Sequence, residues 1–263
     1  MLNQYTEIIP TRWGNMVSLK CDSHITGALT CYGESTPEEL AMCLSFLKKG
    51  DAVIDVGANV GTFTVPMALA VGRSGFVYSF EPQRIVYQVL CANLAINSLS
   101  DYVDPLRLAA GAKDGTASVP LINPFQANNN VGGVRLNAPS DASETVPVIT
   151  IDSLNLPACA LIKIDVEGME HEVLFGASET VKRCRPAIFA ECLPGDDANE
   201  AGLKAFFEAH DYKAWLIKSP LFCPHNVRRN QTDIFGDQND FNVVAVHRNF
   251  DDPKFCLNSE VFK

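Results

Sequence analysis

Several features that would assign a chain to a common class of protein are missing from this sequence. It has no run of basic residues, and its 21 Lys and Arg are outnumbered by 31 Asp and Glu, which gives a formal net charge of −10. Such a charge repels polyphosphate and argues against a nucleic-acid substrate. No apolar stretch approaches the length of a membrane span, and the first ten residues do not resemble a signal peptide. We therefore expect a cytoplasmic protein without a membrane or nucleic-acid partner.

Cysteine and histidine are present, but without the spacing of a disulfide framework or a zinc site. The 9 cysteines are odd in number and include no Cys-x-x-Cys pair. Cys43, Cys91 and Cys192 fall inside apolar stretches, where a reduced thiol behaves as a small apolar side chain. The 5 histidines are scattered, with no pair at i and i+4. We assign no disulfide and no metal ion.

The composition that remains is that of an ordinary globular protein, with 47% hydrophobic and 20% charged residues. Short apolar runs alternate with helical patterns, which is typical of parallel strands joined by crossover helices. The principal strands are predicted at residues 52–56, 76–80, 102–108, 161–165, 187–192, 212–218 and 241–247. The sequence therefore predicts an α/β fold with a doubly wound, Rossmann-like sheet of seven strands.

The predicted core domain, residues 51–250, is flanked by two shorter segments. We expect residues 1–50 to be an extension packed on the core, with a short antiparallel pair of strands within residues 8–21. Residues 251–263 are predicted to be a C-terminal tail. The chain is thus interpreted as one domain with two appendages.

Two local patterns complete the secondary structure. The stretch from Thr36 to Glu39 is a capping-box pattern with proline at the first helical position, which predicts a helix over residues 37–48. A loop-rich region contains a short strand near residues 117–122, which we expect to pair with residues 146–151.

The stretch DVGANVGTF, which begins at Asp55, follows the first predicted strand of the core. A phosphate loop would need lysine after the second glycine, but Gly61 is followed by Thr62 and Phe63, which argues against a nucleoside triphosphate. A dinucleotide motif would need a glycine where Asn59 stands, because the backbone must approach the pyrophosphate there. The turn is therefore expected to hold a ligand without a pyrophosphate.

The next strand ends in Phe80-Glu81-Pro82, which places the Glu81 carboxylate 20 residues after Gly61. At this separation, acidic residues of such folds bind a ribose diol. S-adenosylmethionine has a ribose, an amino-acid tail and a sulfonium cation that tolerates nearby carboxylates. We expect Asp55 to lie near its ammonium group or to brace the turn, while Gly57 and Gly61 let the backbone close on the ligand.

Beyond the turn, the chain resembles the FkbM-type family of S-adenosylmethionine-dependent methyltransferases. The resemblance is carried by YGE at 32–34, GDAVIDVGANVGTFT at 50–64, SFEPQ at 79–83, LIKIDVEGMEHEVLFGA at 161–177 and AIFAE at 187–191. It implies the class I methyltransferase fold, with seven mostly parallel strands of which the last is antiparallel. It also implies S-adenosylmethionine as the cofactor and methylation of a hydroxyl, usually on a small natural product or a sugar-like acceptor. The expected cofactor-binding residues are Glu34, Asp55, Gly57, Asn59, Gly61, Thr62, Phe63, Glu81, Pro82 and Asp165.

Acceptor chemistry is expected at the carboxyl ends of the strands, where Asp165 and Glu191 close two predicted neighbours. Asp165 is the first candidate for acceptor positioning or general base, followed by Glu167 and Glu191. An alternative role for Asp165 is to cap the helix that follows it. The three carboxylates could also cluster around a divalent cation, although carboxylates at strand ends do not by themselves make a metal site.

Two loops are candidates for shaping acceptor choice. The amide-rich residues 128–133 are suited either to a polyhydroxylated acceptor or merely to a turn. The long segment 219–240 contains Arg228 and Arg229, which would suit an anionic acceptor, although a solvated pair is the commoner explanation.

Other functions remain open at this level. No tyrosine has lysine four residues on, which argues against a short-chain dehydrogenase. The alternatives are a cofactor-binding module without methyl transfer, and a methyltransferase acting on a nitrogen or a carboxylate. The expected partner is a small hydroxylated molecule, and a homo-oligomer remains open.

Overall fold

The computed structural model describes residues 5–126, 130–251 and 260–262. The strands in chain order are β1 (Thr6–Thr11), β2 (Gly14–Leu19), β3 (Ala52–Val56), β4 (Phe76–Phe80), β5 (Val103–Leu106), β6 (Ala109–Ala110), β7 (Gly115–Pro120), β8 (Ser143–Ile149), β9 (Leu161–Ile164), β10 (Ala187–Glu191), β11 (Tyr212–Pro220), β12 (Asn239–His247) and β13 (Glu260–Val261). The α-helices are α1 (Ile25–Tyr32), α2 (Pro37–Ser45), α3 (Thr64–Val71), α4 (Arg84–Ile96), α5 (Glu170–Phe175), α6 (Ser178–Cys184) and α7 (Asp197–Ala209), with a short 3₁₀ helix at Ile151–Leu154.

The main sheet has the spatial order β13-β11-β12-β10-β9-β3-β4-β5. Strands β5, β4, β3, β9 and β10 are parallel to one another, and β12 is antiparallel to both β10 and β11. Strand β9 is buried along its whole length, as expected for a parallel strand covered on both faces. The predicted doubly wound sheet of seven strands, with the last antiparallel, is confirmed. The two-residue edge strand β13 was not predicted.

Several predicted elements have different bounds or were missed. Helix α3 begins at Thr64 because the preceding turn places Gly57, Asn59 and Gly61 at positive φ, which no α-helix accommodates. Helices α1 and α6 were not expected. In α1 the sequence ITGALTCY contains β-branched residues and a glycine, which weakens the local helical signal.

The capping-box prediction at Thr36 is wrong. Thr36 is left-handed, with φ of 37°, and its side chain makes no capping hydrogen bond. Pro37 does begin helix α2, but the helix ends at Ser45. Glu39, the expected capping partner, is instead buried and accepts a hydrogen bond of 2.9 Å from Asn242 Nδ2.

The N-terminal β-hairpin packs on the core. Strands β1 and β2 form an antiparallel hairpin, and Met16 belongs to the same apolar cluster as Val53 and Leu90. Asn93 of α4 fastens the hairpin through two hydrogen bonds to the backbone of Val17, at 2.6 and 2.9 Å. The proposed boundaries at residues 50 and 250 stay predictions.

The remaining segments form a satellite sheet and the chain end. The predicted pairing of the short strand with its partner is confirmed, since β7 is antiparallel to β8, and β6 joins them in a three-stranded sheet. Residues 128 and 129 of the amide-rich loop lie outside the described residues, as does most of the predicted tail 251–263. Within the described ranges, no helix has the length and apolar character needed to cross a membrane.

Candidate functional site

A cavity of about 440 Å³ opens at the carboxyl ends of the parallel strands. It extends from the end of β5, past β4, β3 and β9, to the end of β10 and the start of β12. The chain leaves β3 toward β4 on one side and reaches β9 on the other, so the cavity lies where the strand order reverses. Open α/β sheets bind their ligands at this switch point.

The glycine turn after β3 forms one wall of the cavity, and close packing requires its first glycine. Gly57 has φ of 76°, and a Cβ atom there would lie 1.8 Å from the Asp165 carbonyl oxygen. Gly61 has φ of 96° but faces Leu90 and does not line the cavity. Gly57 therefore lets the ends of β3 and β9 approach each other.

Glu81 lies beside this turn, at the end of β4, and only 3% of its surface is exposed. Its two carboxylate oxygens accept hydrogen bonds from the backbone N–H groups of Asn59, at 3.0 Å, and Gln83, at 2.8 Å. Each oxygen keeps a lone pair for one further donor. Burial raises the pKa of Glu81 to about 7, although both N–H groups oppose the shift.

Beneath the turn, Asp55 forms a fully buried ion pair with Lys163 of β9. The Lys163 Nζ atom lies 3.5 Å from Asp55 Oδ1 and donates to the Gly57 carbonyl oxygen at 3.0 Å. Thr64 Oγ1 donates to the other Asp55 oxygen at 2.6 Å. Burial alone would lower the pKa of Lys163, but the carboxylates of Asp165 and Asp55 raise it above its usual value. Asp55 braces the turn and does not line the cavity.

Asp165 follows β9 and lines the cavity, with 45% of its side chain exposed. Lys163 Nζ donates to its Oδ2 atom at 3.3 Å. Its alternative role as a helix cap is wrong, because α5 begins after Met169 and has no side-chain cap. The loop before α5 is held instead by the buried Glu170, whose Oε1 atom accepts from the backbone N–H groups of Val166 and Gly168.

Asp165, Glu167 and Glu191 lie close together, and one carboxylate oxygen from each is within 4.8 Å of those from the other two. Burial and the neighbouring Asp165 charge raise the pKa of Glu167 to about 7 and that of Glu191 to about 10. Both shifts favour the protonated form of the carboxyl group. Three convergent carboxyl groups can share a proton, or their oxygens can bind a divalent cation.

Sequence reasoning missed several residues that line the cavity. The buried Glu39 and Asp240, near the start of β12, both line it. Burial and the Asp240 charge raise the pKa of Glu39, while burial and Asp165 raise the pKa of Asp240 to about 6. His24 and Phe235 also line the cavity. No local motif marks these residues, because they reach the site through tertiary contacts.

Three predicted cofactor residues lie away from the cavity wall, namely Glu34, Asp55 and Gly61. Glu34 accepts hydrogen bonds from Arg12 Nη1, at 2.8 Å, and from the Val227 backbone N–H, at 2.7 Å, and so joins the extension to the 219–240 segment. The predicted residues that line the cavity are Gly57, Asn59, Thr62, Phe63, Glu81, Pro82 and Asp165, together with Glu167 and Glu191. Their contacts with a cofactor stay predictions.

Arg228 and Arg229, in the 219–240 segment, would suit an anionic acceptor if their guanidinium groups were free. The Arg228 guanidinium donates to the carbonyl oxygens of Thr30 and Pro10, and it is thus committed to structure. His210 stacks on Phe206 with a separation of 4.0 Å between ring centroids. The ring of His171 contacts Asn199 Oδ1 at 2.9 Å and does not line the cavity.

The doubly wound sheet, the glycine turn and the acidic residue closing the second strand define the class I methyltransferase fold. The sequence model of the FkbM methyltransferase domain matches residues 55–222, which is more than half of the chain. The chain belongs to this family, whose methyl donor is S-adenosylmethionine.

Individual relatives are similar to this chain over only part of their length. The methyltransferase sdnD of Sordaria araneosa is 26% identical over 157 residues, which cover 48% of this chain and 60% of that protein. The hexuronic acid methyltransferase AglP of Haloferax volcanii is 27% identical over 147 residues, covering 54% of this chain and 56% of that protein. The chain thus spans little more than half the length of these curated relatives. The crystal structure of methyltransferase FkbM from Methylobacillus flagellatus KT superposes with a TM-score of 0.50 at 18% identity, covering 75% of this chain and 43% of that one, and shows the shared fold.

Proposed function

We propose that this chain transfers the methyl group of S-adenosylmethionine to a hydroxyl of a small acceptor. The observation that carries the proposal is the layout of one cavity. At one end lies a buried carboxylate, Glu81, that retains acceptor capacity beside a glycine turn. At the other end lies the three-carboxylate cluster around Asp165. The first end suits a ribose, and the second suits a hydroxyl that must lose a proton.

The residues present fit this cofactor. The free lone pairs of the Glu81 carboxylate would accept from the two ribose hydroxyls, and Asn59, Thr62 and Phe63 would line the amino-acid tail. Among the described residues that line the cavity, Lys163 carries the one ammonium group, and its donors go to Gly57 and Asp165. An otherwise acidic wall suits a ligand with a sulfonium and an ammonium group.

The bound cofactor supplies an electrophilic methyl group on a sulfonium centre. The chain must hold the acceptor in line with that group, and orientation of this kind can lower a barrier by about 7 to 11 kcal/mol. Asp165 would accept the proton of the attacking hydroxyl at its carboxylate, which Lys163 Nζ orients at 3.3 Å. Burial and the neighbouring carboxylates raise the pKa of Glu191, and in its protonated form it would donate a hydrogen bond to the acceptor or to a neighbouring carboxylate.

Two other kinds of acceptor are possible, a carboxylate and a nitrogen. A carboxylate acceptor is disfavoured by the acidic cluster, since bringing like charges together costs free energy. A nitrogen acceptor would also use Asp165 as the base. The relative named as a hexuronic acid methyltransferase supports a sugar-type acceptor. The proposed partner is a small molecule.

The test has two stages. Titration calorimetry with S-adenosylmethionine and S-adenosylhomocysteine should show binding of both, and binding of neither would refute the enzyme. Transfer of a tritiated methyl group to a panel of hydroxyl, amine and carboxylate acceptors should then label hydroxyls. Binding without transfer to any acceptor would favour the non-catalytic module, and preferential labelling of amines would replace the hydroxyl in the proposal.

A further inference from the structure

The cavity has an aromatic wall made by two residues that lie outside the family-matching region 55–222. Phe235, from the segment between β11 and β12, and His24, from the N-terminal extension, both line the cavity. Their ring centroids are 6.1 Å apart, and the rings are inclined by 30°. We call this pair the aromatic wall.

The aromatic wall is held in place by hydrogen bonds on either side of Phe235. The Tyr32 hydroxyl accepts from the Ile234 N–H and donates to the Thr232 carbonyl oxygen, each at 3.0 Å. Asp233 Oδ1 accepts from the N–H groups of Phe235, at 2.8 Å, and Gly236, at 2.9 Å. The Phe235 ring is therefore presented by a fixed turn, and fixed residues make specific contacts at a small entropic cost.

The Tyr32 ring supports the aromatic wall from behind. It lies 6.1 Å from Phe235 and 5.6 Å from Phe222, measured between ring centroids. Phe222 belongs to the same group of rings but does not line the cavity. Phe235 therefore lines the cavity, whereas Tyr32 and Phe222 only support it.

The cavity also carries acidic groups and, among its described lining residues, no uncommitted permanent cation. Asp165, Glu191, Glu39 and Asp240 all line it. The Lys163 ammonium is already bound to Gly57 and Asp165. An acceptor carboxylate would meet repulsion there without compensation. Hydroxyl groups, in contrast, can donate to these oxygens.

We propose that Phe235 and His24 determine acceptor specificity by stacking against an uncharged, polyhydroxylated ring such as a pyranose. The apolar C–H face of the ring would cover the aromatic wall, and its hydroxyls would face the carboxylates. A few placed polar groups opposite an apolar surface are the usual arrangement of a small-molecule site. The inference rests on the proposed function and names the part of the acceptor that this site selects.

The charge selection can be tested with matched sugars on protein loaded with S-adenosylhomocysteine. The probes are methyl β-D-glucopyranoside, methyl β-D-glucuronide and methyl 2-amino-2-deoxy-β-D-glucopyranoside, followed by saturation-transfer difference NMR. We expect the neutral glucoside to bind at least tenfold more tightly than the glucuronide, with transfer concentrated on one ring face. Equal or tighter binding of the glucuronide, tenfold tighter binding of the amino sugar, or no binding of any probe would overturn the proposal.

The aromatic wall is tested by Phe235→Leu, with Phe222→Leu as the matched control. Phe235→Leu should weaken glucoside binding at least tenfold while the affinity for S-adenosylhomocysteine changes less than twofold. Phe222→Leu should change neither. An equal effect of both substitutions would mean that the rings act only through folding, and this outcome refutes the aromatic wall. Loss of S-adenosylhomocysteine binding in the wild-type chain would instead refute the proposed function, so the two failures are distinguishable.

Discussion

The backbone N–H of Asn59 donates a 3.0 Å hydrogen bond to the carboxylate of Glu81. This contact couples the glycine turn after β3 to the residue that closes β4, and it fixes the carboxylate at the edge of the cavity. The position of a ligand bound to Glu81 therefore depends on the conformation of the turn as well.

Replacing Glu81 with glutamine should weaken cofactor binding with little change in the shape of the site. A hydrogen bond to a charged group contributes about 1.5 to 3 kcal/mol, so we expect a loss of about 10- to 100-fold in affinity. Calorimetry with S-adenosylhomocysteine measures it, and Glu179→Gln, at an exposed surface ion pair, is the control. Unchanged affinity in Glu81→Gln would contradict the placement of the ribose.

Replacing Gly57 with alanine should unfold or strongly destabilise the chain, because the new Cβ would collide with the Asp165 carbonyl oxygen at 1.8 Å. Gly195 is the matched control, since its φ of 87° is similar but nothing lies within 4 Å of the added atom. We expect about 1 to 2 kcal/mol for left-handed strain alone at Gly195 and a clearly larger loss at Gly57. Urea unfolding compares the two, and equal losses would show that the close approach is unimportant.

Removing the Lys163 ammonium should be costly because it leaves Asp55 buried without its partner. Lys163→Met is expected to lower the free energy of unfolding by about 3 to 5 kcal/mol. Adding Asp55→Asn should restore part of the loss, since the uncompensated charge is then gone. Lys182→Met, in an exposed pair with Glu179, should change stability by less than about 1 kcal/mol. Additive effects of the two buried substitutions would refute the ion pair.

The cofactor-free chain should lose stability as the pH rises from about 4.5 to 7. Burial raises the pKa of Glu81 to about 7, so the folded state binds more protons than the unfolded state in this interval. Its contribution is fully present below the unfolded pKa and is lost through the folded one, with a magnitude of about 3 kcal/mol. Glu191, whose pKa is raised further, acts in the same direction. Urea midpoints across pH measure the slope, and Glu81→Gln should flatten it.

Asp165→Asn should reduce methyl transfer while leaving the cofactor bound. Loss of a general base typically costs about 10² to 10⁴ in rate. Asp101→Asn, at an exposed ion pair with Arg73, makes the same chemical change away from the cavity and should be silent. Turnover is measured on the best acceptor from the tritium assay. Wild-type turnover in Asp165→Asn would assign the base to another residue.

The central part of the fold was predictable from the sequence because the signals are local. The strands Ala52–Val56 and Phe76–Phe80 have the predicted bounds, since parallel strands buried on both faces are continuous apolar runs. The turn beginning at Asp55 and the 20-residue spacing from Gly61 to Glu81 likewise depend on short stretches of chain. Helix α1 was missed because its residues have weak helical propensity and tertiary packing decides its conformation.

The role of a residue could not be predicted from the sequence where its partner lies far away along the chain. Glu34 was expected at the cofactor, but it binds the Val227 N–H, 193 residues away. The chain alone determined the strands, the glycine turn and the acidic residues at the strand ends. Only the tertiary structure decided that Lys163 neutralises Asp55 and that the His24 ring lies beside Phe235. The physical reason is that strand order and packing set which side chains meet, and no local periodicity encodes contacts between residues hundreds of positions apart.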